Sequence, residues 1–284
     1  MGIEKSRPVL ITGCSTGIGR ATAERLAEDG YNVHATARRL ESIEDLGSRG
    51  MKTHALDVTD EASMEAAVAE VEQDGRIGAL VNNAGYSQSG AIETIPMSSV
   101  RRQFETNVFG LIRMCQLALP GMRAAGSGRI VNLSSMGGKL TFPGGGVYHA
   151  TKHAVEALSD ALRFEVSGFG IDVVVIEPGL IVTEFGETAA ASVGEVEDHG
   201  PYAAFNAGVA KATADAYTGP MARLGAGPEA VARKISKSLA ARRPSTRYKV
   251  TPSARMTIGM RRLMTDRMWD RMVRSQFQPP RPES

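Results

Sequence analysis

Residues 8–19 read PVLITGCSTGIG: a short apolar run, then a turn with glycines at 13, 17 and 19. An apolar run with no polar alternation suits a strand covered on both faces, as in a parallel sheet. The segment behind it, Gly17–Asp29, carries Ala, Glu, Arg and Leu at helical spacing. A glycine-rich crossover of this kind lets backbone N–H groups approach a pyrophosphate, whose charge a helix N-terminus favours. The spacing is GxxxGxG, not the GxGxxG of the usual dinucleotide fingerprint. Standing alone it reads equally as a tight turn; its place at the first crossover of a βαβ pattern makes it a cofactor loop.

The alternation continues along the chain. Pro8–Thr12, Asn32–Arg38, Met51–Asp57, Ala79–Asn82, Arg129–Leu133 and Asp172–Glu177 read as strands. Helical spacing fills Gly17–Asp29, Glu61–Asp74, Ser98–Ala125 and Tyr148–Val166 between them. The expected fold is a doubly wound α/β domain with a parallel sheet, one domain over 1–284. Segment 180–227 blurs into Ala/Gly-rich sequence and is expected to be a mobile lid over the site.

Composition excludes several classes. At 42% hydrophobic and 23% charged, the 284 residues are those of a globular protein with a full core. Two cysteines make no disulfide framework, and no run of about eighteen apolar residues suggests a membrane span. The first strand begins too early to leave room for a signal peptide, so the cytoplasm is the expected compartment. The net charge of +2 hides an asymmetry: from Arg242 onward eleven Lys/Arg face three Asp/Glu, leaving −6 on the body. That body is no nucleic-acid surface. No metal site is expected.

Further motifs follow the glycine loop in order: Asp57, NNAG at 82–85, Asn107, serines at 134–135, YHATK at 148–152 and PGLIVT at 178–183. Tyr148 and Lys152 lie one helical turn apart, hence on one face. The set resembles the short-chain dehydrogenase/reductase family from about Pro8 to Thr183. The resemblance implies a Rossmann-type fold and an oxidoreductase that moves hydride between a nicotinamide cofactor and a carbonyl or secondary alcohol. It makes Tyr148 the general acid or base. Lys152 would lower the tyrosine pKa and bind the nicotinamide ribose. Ser135, thirteen residues before the tyrosine, would position the substrate oxygen, and Asn107 would distort its helix and hold a water behind Lys152. It also implies a cofactor site formed by Gly13, Ser15, Thr16, Gly17, Ile18 and Gly19 at the loop. Asp57 and Val58 would lie at the adenine, Asn83 near the ribose, and Ile181 and Thr183 at the carboxamide. His149 and His153 are expected on other faces of the helix, and Cys14 as a small loop residue. A catalytically idle NADP-binding regulator of the same fold is the alternative.

An NAD enzyme usually places an acid at the end of the second strand. Here Ala37 stands there, followed by Arg38 and Arg39. A missing carboxylate removes repulsion against a 2′-phosphate, and a guanidinium binds phosphate bidentately. NADP is therefore expected over NAD, with Arg38 as the phosphate ligand. Phe185, Tyr202 and Phe205 in the lid suit a small apolar carbonyl compound. RYKV at 247–250 and the Met-rich tail resemble the 17β-hydroxysteroid and retinol dehydrogenase branch.

Within that tail Met256, Met260, Met264 and Met268 stand four apart, with arginines largely off the stripe. This predicts one basic amphipathic helix over 251–275. Packing over the substrate cleft or against a second subunit is its first meaning, and docking on anionic lipid the other. Family members assemble as homodimers or homotetramers, and the same is expected here.

Overall fold

The computed structural model describes residues 2–184, 200–277 and 279–280. The sheet starts from β1 (Pro8–Ile11), which pairs in parallel with β2 (Asn32–Ala37) on one side and β4 (Ala79–Asn82) on the other. Adding β3 (Lys52–Ala55), β5 (Gly128–Leu133), β6 (Ile171–Glu177) and β7 (Arg247–Lys249) gives seven parallel strands in the order β3-β2-β1-β4-β5-β6-β7. The order reverses between β1 and β4, and a crevice opens there at the carboxyl ends of the strands.

Continuous apolar strands are explained by what covers them. Val9, Ile11, Val81, Val131 and Ile176 face one layer, built by α1 (Gly17–Glu28) and, late in the chain, Pro228–Ala240. Leu10, Leu80, Ile130 and Val173 face the other. That layer comprises α3 (Glu61–Glu72, after the short α2, Glu44–Ser48), α5 (Gly110–Ala124) and α6 (Gly146–Glu165). Each buried strand leucine or isoleucine contributes about 2–5 kcal/mol, judged by truncation to alanine.

Three differences from the sequence expectation have physical causes. The long helix expected over Ser98–Ala125 is α4 (Met97–Phe104), one π-turn (Glu105–Phe109) and α5. In the π-turn the Asn107 amide is pulled onto the backbone of Tyr86, accepting from its N–H at 3.1 Å and donating to its C=O at 2.9 Å. Strand β7 was not anticipated, because RYK is a three-residue charged edge strand without apolar patterning.

The single helix expected over 251–275 is two. With α7 (Ala203–Thr218) and α8 (Pro228–Ala240) before them, these are α9 (Pro252–Leu263) and α10 (Asp266–Arg274). Met264 is extended, and the Thr265 hydroxyl caps α10 by accepting from the Met268 N–H, a start signal stronger than the methionine spacing. Accordingly Met256, Met260 and Met268 stay exposed, while Ala254, Ile258 and Trp269 are the buried residues that pack on Leu140. The lid expected over 180–227 contains α7, whereas Phe185 and the rest of 185–199 lie outside the described residues. Among the described residues no helix is long and apolar enough to cross a membrane.

Candidate active site

Every loop that leaves the carboxyl end of β1 to β6 opens onto one cavity of about 1260 Å³. The β1 loop supplies Gly13, Ser15, Thr16, Gly17 and Ile18; β2 supplies Arg38; β3 supplies Asp57 and Val58; β4 supplies Asn83. Ser135 follows β5, Tyr148 and Lys152 stand on α6, and Ile181 and Thr183 follow β6. Two expected site residues do not line this space. Gly19 is buried beneath the loop, and Asn107 is buried at 2% exposure behind the cavity wall.

The glycine loop has the form a phosphate requires. Gly13 sits at φ 74°, a left-handed conformation that a side chain disfavours. A Cβ at Gly19 would collide with the Gly13 carbonyl and the Asn83 amide, so only glycine lets the first turn of α1 come this close. Asn83 braces the same loop, donating to the carbonyls of Thr12 and Gly13 at 2.9 Å each. The first turn of α1 holds no acidic side chain, leaving its N–H groups to an anion. Cys14 is buried and its thiol is pushed up to about 12 by desolvation, which excludes a thiolate nucleophile.

At the far end the Tyr148 hydroxyl is hydrogen-bonded to the Ser135 side chain. Ser135 Oγ also accepts from the Gly137 N–H at 3.0 Å, which fixes its rotamer. Ser134, just past the end of β5, also lines the cavity but is buried, its N–H donating to the Ile176 carbonyl at 2.9 Å. Lys152, 6% exposed, donates from Nζ to the Leu133 carbonyl at 2.7 Å, and this Nζ lies 5.7 Å from the Tyr148 ring centre. Burial pulls the Lys152 ammonium down to about 8, opposed by the charge of Glu156 one turn further along α6. Burial pushes the Tyr148 phenol well above its ordinary value, opposed by the Ser135 hydrogen bond and reinforced by Tyr217. A phenol lowered towards neutrality by Lys152 was expected; burial acts in the opposite direction and favours the protonated phenol.

Asn107 Nδ2 also donates to Thr151 Oγ1 at 3.1 Å, tying the π-turn to the turn of α6 that carries Tyr148 and Lys152. Asp57 Oδ1 accepts from the Thr59 N–H at 2.9 Å and its hydroxyl at 2.8 Å, closing the turn after β3. Arg38 is exposed at the cavity edge with no acid paired to it among the described residues. Arg20 is different: Asp45 and Glu24 both hold it.

Several lining residues were not read from the sequence. His149 was expected to face away but lines the cavity, its ring 5.7 Å from that of Tyr148. Burial lowers its imidazole to about 4, so it stands there neutral. Met136, Phe142 and Tyr217 line the cavity as well. The TFPGGG loop at 141–146, glycine-rich and just before Tyr148, was the available signal. Tyr202 and Phe205, expected in the cover of this site, line a neighbouring cavity instead.

The short chain dehydrogenase profile matches residues 7–193. The chain belongs to the short-chain dehydrogenase/reductase family. It is 35% identical over 269 residues to the uncharacterized oxidoreductase YbbO of Escherichia coli (strain K12), covering 94% of each chain. It is 34% identical over 277 residues to the NADPH-dependent 3-dehydrocapnine reductase of Ornithobacterium rhinotracheale, covering 94% of this chain and 95% of that one. A short-chain dehydrogenase structure from Streptomyces avermitilis superposes with a TM-score of 0.78 at 34% identity, covering 95% of this chain and 99% of that one. As a member of this family the protein is an oxidoreductase that uses a nicotinamide cofactor at a CH–OH or C=O group.

Proposed function

We propose that the protein is an NADP(H)-dependent reductase of apolar carbonyl compounds. The observation that carries this reading is the hydrogen-bonded Tyr148–Ser135 hydroxyl pair beside buried Lys152, in the cavity that also holds the glycine loop and Arg38. The residues fit the cofactor. A cradle kept open by Gly13 and Gly19 suits a pyrophosphate, and the exposed Arg38 guanidinium, with no acid partner among the described residues, suits a 2′-phosphate. The NADPH dependence of the Ornithobacterium 3-dehydrocapnine reductase supports the same choice over NAD. When bound, NADPH supplies the hydride for the carbonyl carbon.

The chain's own residues supply the rest. Ser135 donates a hydrogen bond to the substrate oxygen and holds it beside Tyr148. Tyr148 then gives its phenolic proton to that oxygen as negative charge grows there; a buried phenol high on the pH scale is charged with a proton throughout the neutral range. The Lys152 ammonium next to it lowers the cost of the phenolate left behind. Asn107 acts through others: it shapes the π-turn and, through Thr151, the turn of α6 on which both groups stand. Asp57, Val58, Asn83, Ile181 and Thr183 complete the cofactor's surroundings.

Segment 180–227 would cover the site as a lid. A homodimer or homotetramer built on α4–α6 is supported by large apolar side chains left open there, Met97, Phe109 and above all Phe164 at 85% exposure. The functional test is NADPH oxidation across a panel of apolar ketones and aldehydes. Turnover supports the reductase. Tight NADPH binding without turnover of any carbonyl would favour an idle regulator of the same fold.

A further inference from the structure

A second cavity, of about 900 Å³, lies behind the first, and the Phe142, Pro143 and Gly144 segment lines both. Its floor is hydrocarbon: Ile92, Leu140, Phe142, Phe205, Trp269 and Val273. The two cations at its rim are each paired with a carboxylate, and one of its two acids accepts a hydrogen bond. Glu93 accepts from the Tyr202 hydroxyl at 2.7 Å, Lys139 Nζ pairs with Glu156 at 2.7 Å, and Arg261 pairs with Asp266 at 2.5 Å while lying over the Trp269 ring. His153 Nδ1 is 2.9 Å from the His149 carbonyl, and Asp270 points into solvent at the edge. Among the described lining residues, no lysine or arginine is left without a carboxylate to select an anionic ligand. Ile92 is 74% exposed, a large aliphatic side chain turned to this opening.

The C-terminal helices build the outer wall. Trp269 on α10 donates from Nε1 to the Thr141 carbonyl at 3.2 Å and packs on Phe142 with ring centres 5.6 Å apart. The segment that lines both cavities is thereby anchored from the tail side, which gives the tail a place beside the reaction site.

We propose that the second cavity is the subsite for the distal hydrocarbon chain of the carbonyl substrate, so that the enzyme selects long-chain aliphatic ketones and the matching alcohols. The inference rests on the carbonyl-reductase reading above and deepens it. A chain whose carbonyl lies at Tyr148 leaves the first cavity across the Phe142–Gly144 segment that the second cavity shares. Its methylenes then cover Ile92 and the Phe205 and Trp269 rings. Burying one methylene is worth about 0.8 kcal/mol, or roughly a fourfold gain in kcat/KM per added carbon while the subsite fills.

The experiment measures kcat/KM with NADPH for straight-chain 2-ketones of increasing length, on the full chain and on Ile92→Asp and Ile92→Leu. Steep growth with length, cut at least tenfold in the long-to-short ratio by Ile92→Asp and kept by Ile92→Leu, is the expected result. A second readout needs neither turnover nor cofactor. Trp269 is the chain's one tryptophan, and its emission should shift on titration with a long-chain primary alcohol but not with a short one. Turnover of short ketones with no gain on lengthening, or an unmoved emission, overturns the subsite and leaves the reductase standing. Failure of every ketone while NADPH binds overturns both.

Discussion

Reversing one charge at the end of β2 should reverse the cofactor preference. Arg38 follows Ala37 directly, lies exposed at the edge of the cavity and has no acid partner among the described residues. Arg20, on the first turn of α1, is held by Asp45 and Glu24 and offers little to a phosphate. A charge-assisted hydrogen bond contributes about 1.5–3 kcal/mol, and solvent exposure of Arg38 argues for about 2. In Arg38→Asp that attraction is lost to NADPH, and the new carboxylate gains about 1 kcal/mol by accepting from the ribose hydroxyls of NADH. The two effects sum to about 3 kcal/mol, or roughly a 150-fold change in the ratio of kcat/KM for NADPH over NADH. Initial rates with each cofactor at fixed carbonyl concentration give this ratio, and near-unchanged melting of the variant guards against a folding defect. A ratio within about threefold of the parent would refute the assignment of the 2′-phosphate to Arg38 and turn attention to Arg39.

Lys152 should set the alkaline limb of activity: its ammonium stands at about 8, so kcat/KM for NADPH should fall as pH rises through that value, and a limb near the ordinary lysine value of 10.5 would contradict its burial. Asn107→Ala should lower stability by about 1–3 kcal/mol, because it removes the acceptor of the Tyr86 N–H, one of the two donors to the Tyr86 C=O (Gln103 is the other) and the buried donor to Thr151, and urea unfolding reads this directly. Buried His34 sits at about 4 in the fold against 6.5 unfolded, so the unfolded chain takes up the proton first as pH falls. Its stability contribution is complete above about pH 6.5 and is lost towards pH 4, about 2 kcal/mol by pH 5; His34→Gln should flatten that part of the urea-midpoint profile.

The parallel sheet was legible because its strands are buried on both faces and so read as unbroken apolar runs. The site was legible because its side chains come from short, ordered motifs at strand ends: TGCSTGIG, NNAG, the 134–135 serines and YHATK all meet in one cavity. What failed depends on contacts distant in sequence. The π-turn at Asn107 exists because an amide in one helix reaches the backbone of Tyr86, which no periodicity registers. His149 enters the cavity because the loop at 141–145 folds back onto the start of α6, where Gly137 and Gly145 leave room for its ring. The methionine spacing of the tail misled because Thr265 restarts the helix and rotates its faces, giving Trp269 the buried position. Tyr148 is held high by desolvation, a property of the assembled cavity and not of the Tyr–Lys spacing.

The central claim is that Tyr148 supplies the proton to the substrate oxygen. The most direct measurement compares the parent with Tyr148→Phe, recording NADPH affinity by fluorescence and single-turnover NADPH oxidation with a ketone the parent reduces. The account predicts NADPH affinity within about threefold, since the phenyl ring stays, and a hydride-transfer rate reduced about 10²–10⁴-fold, the usual range for loss of a general acid. A Tyr148→Phe enzyme that binds NADPH normally and oxidises it within about tenfold of the parent rate would contradict it.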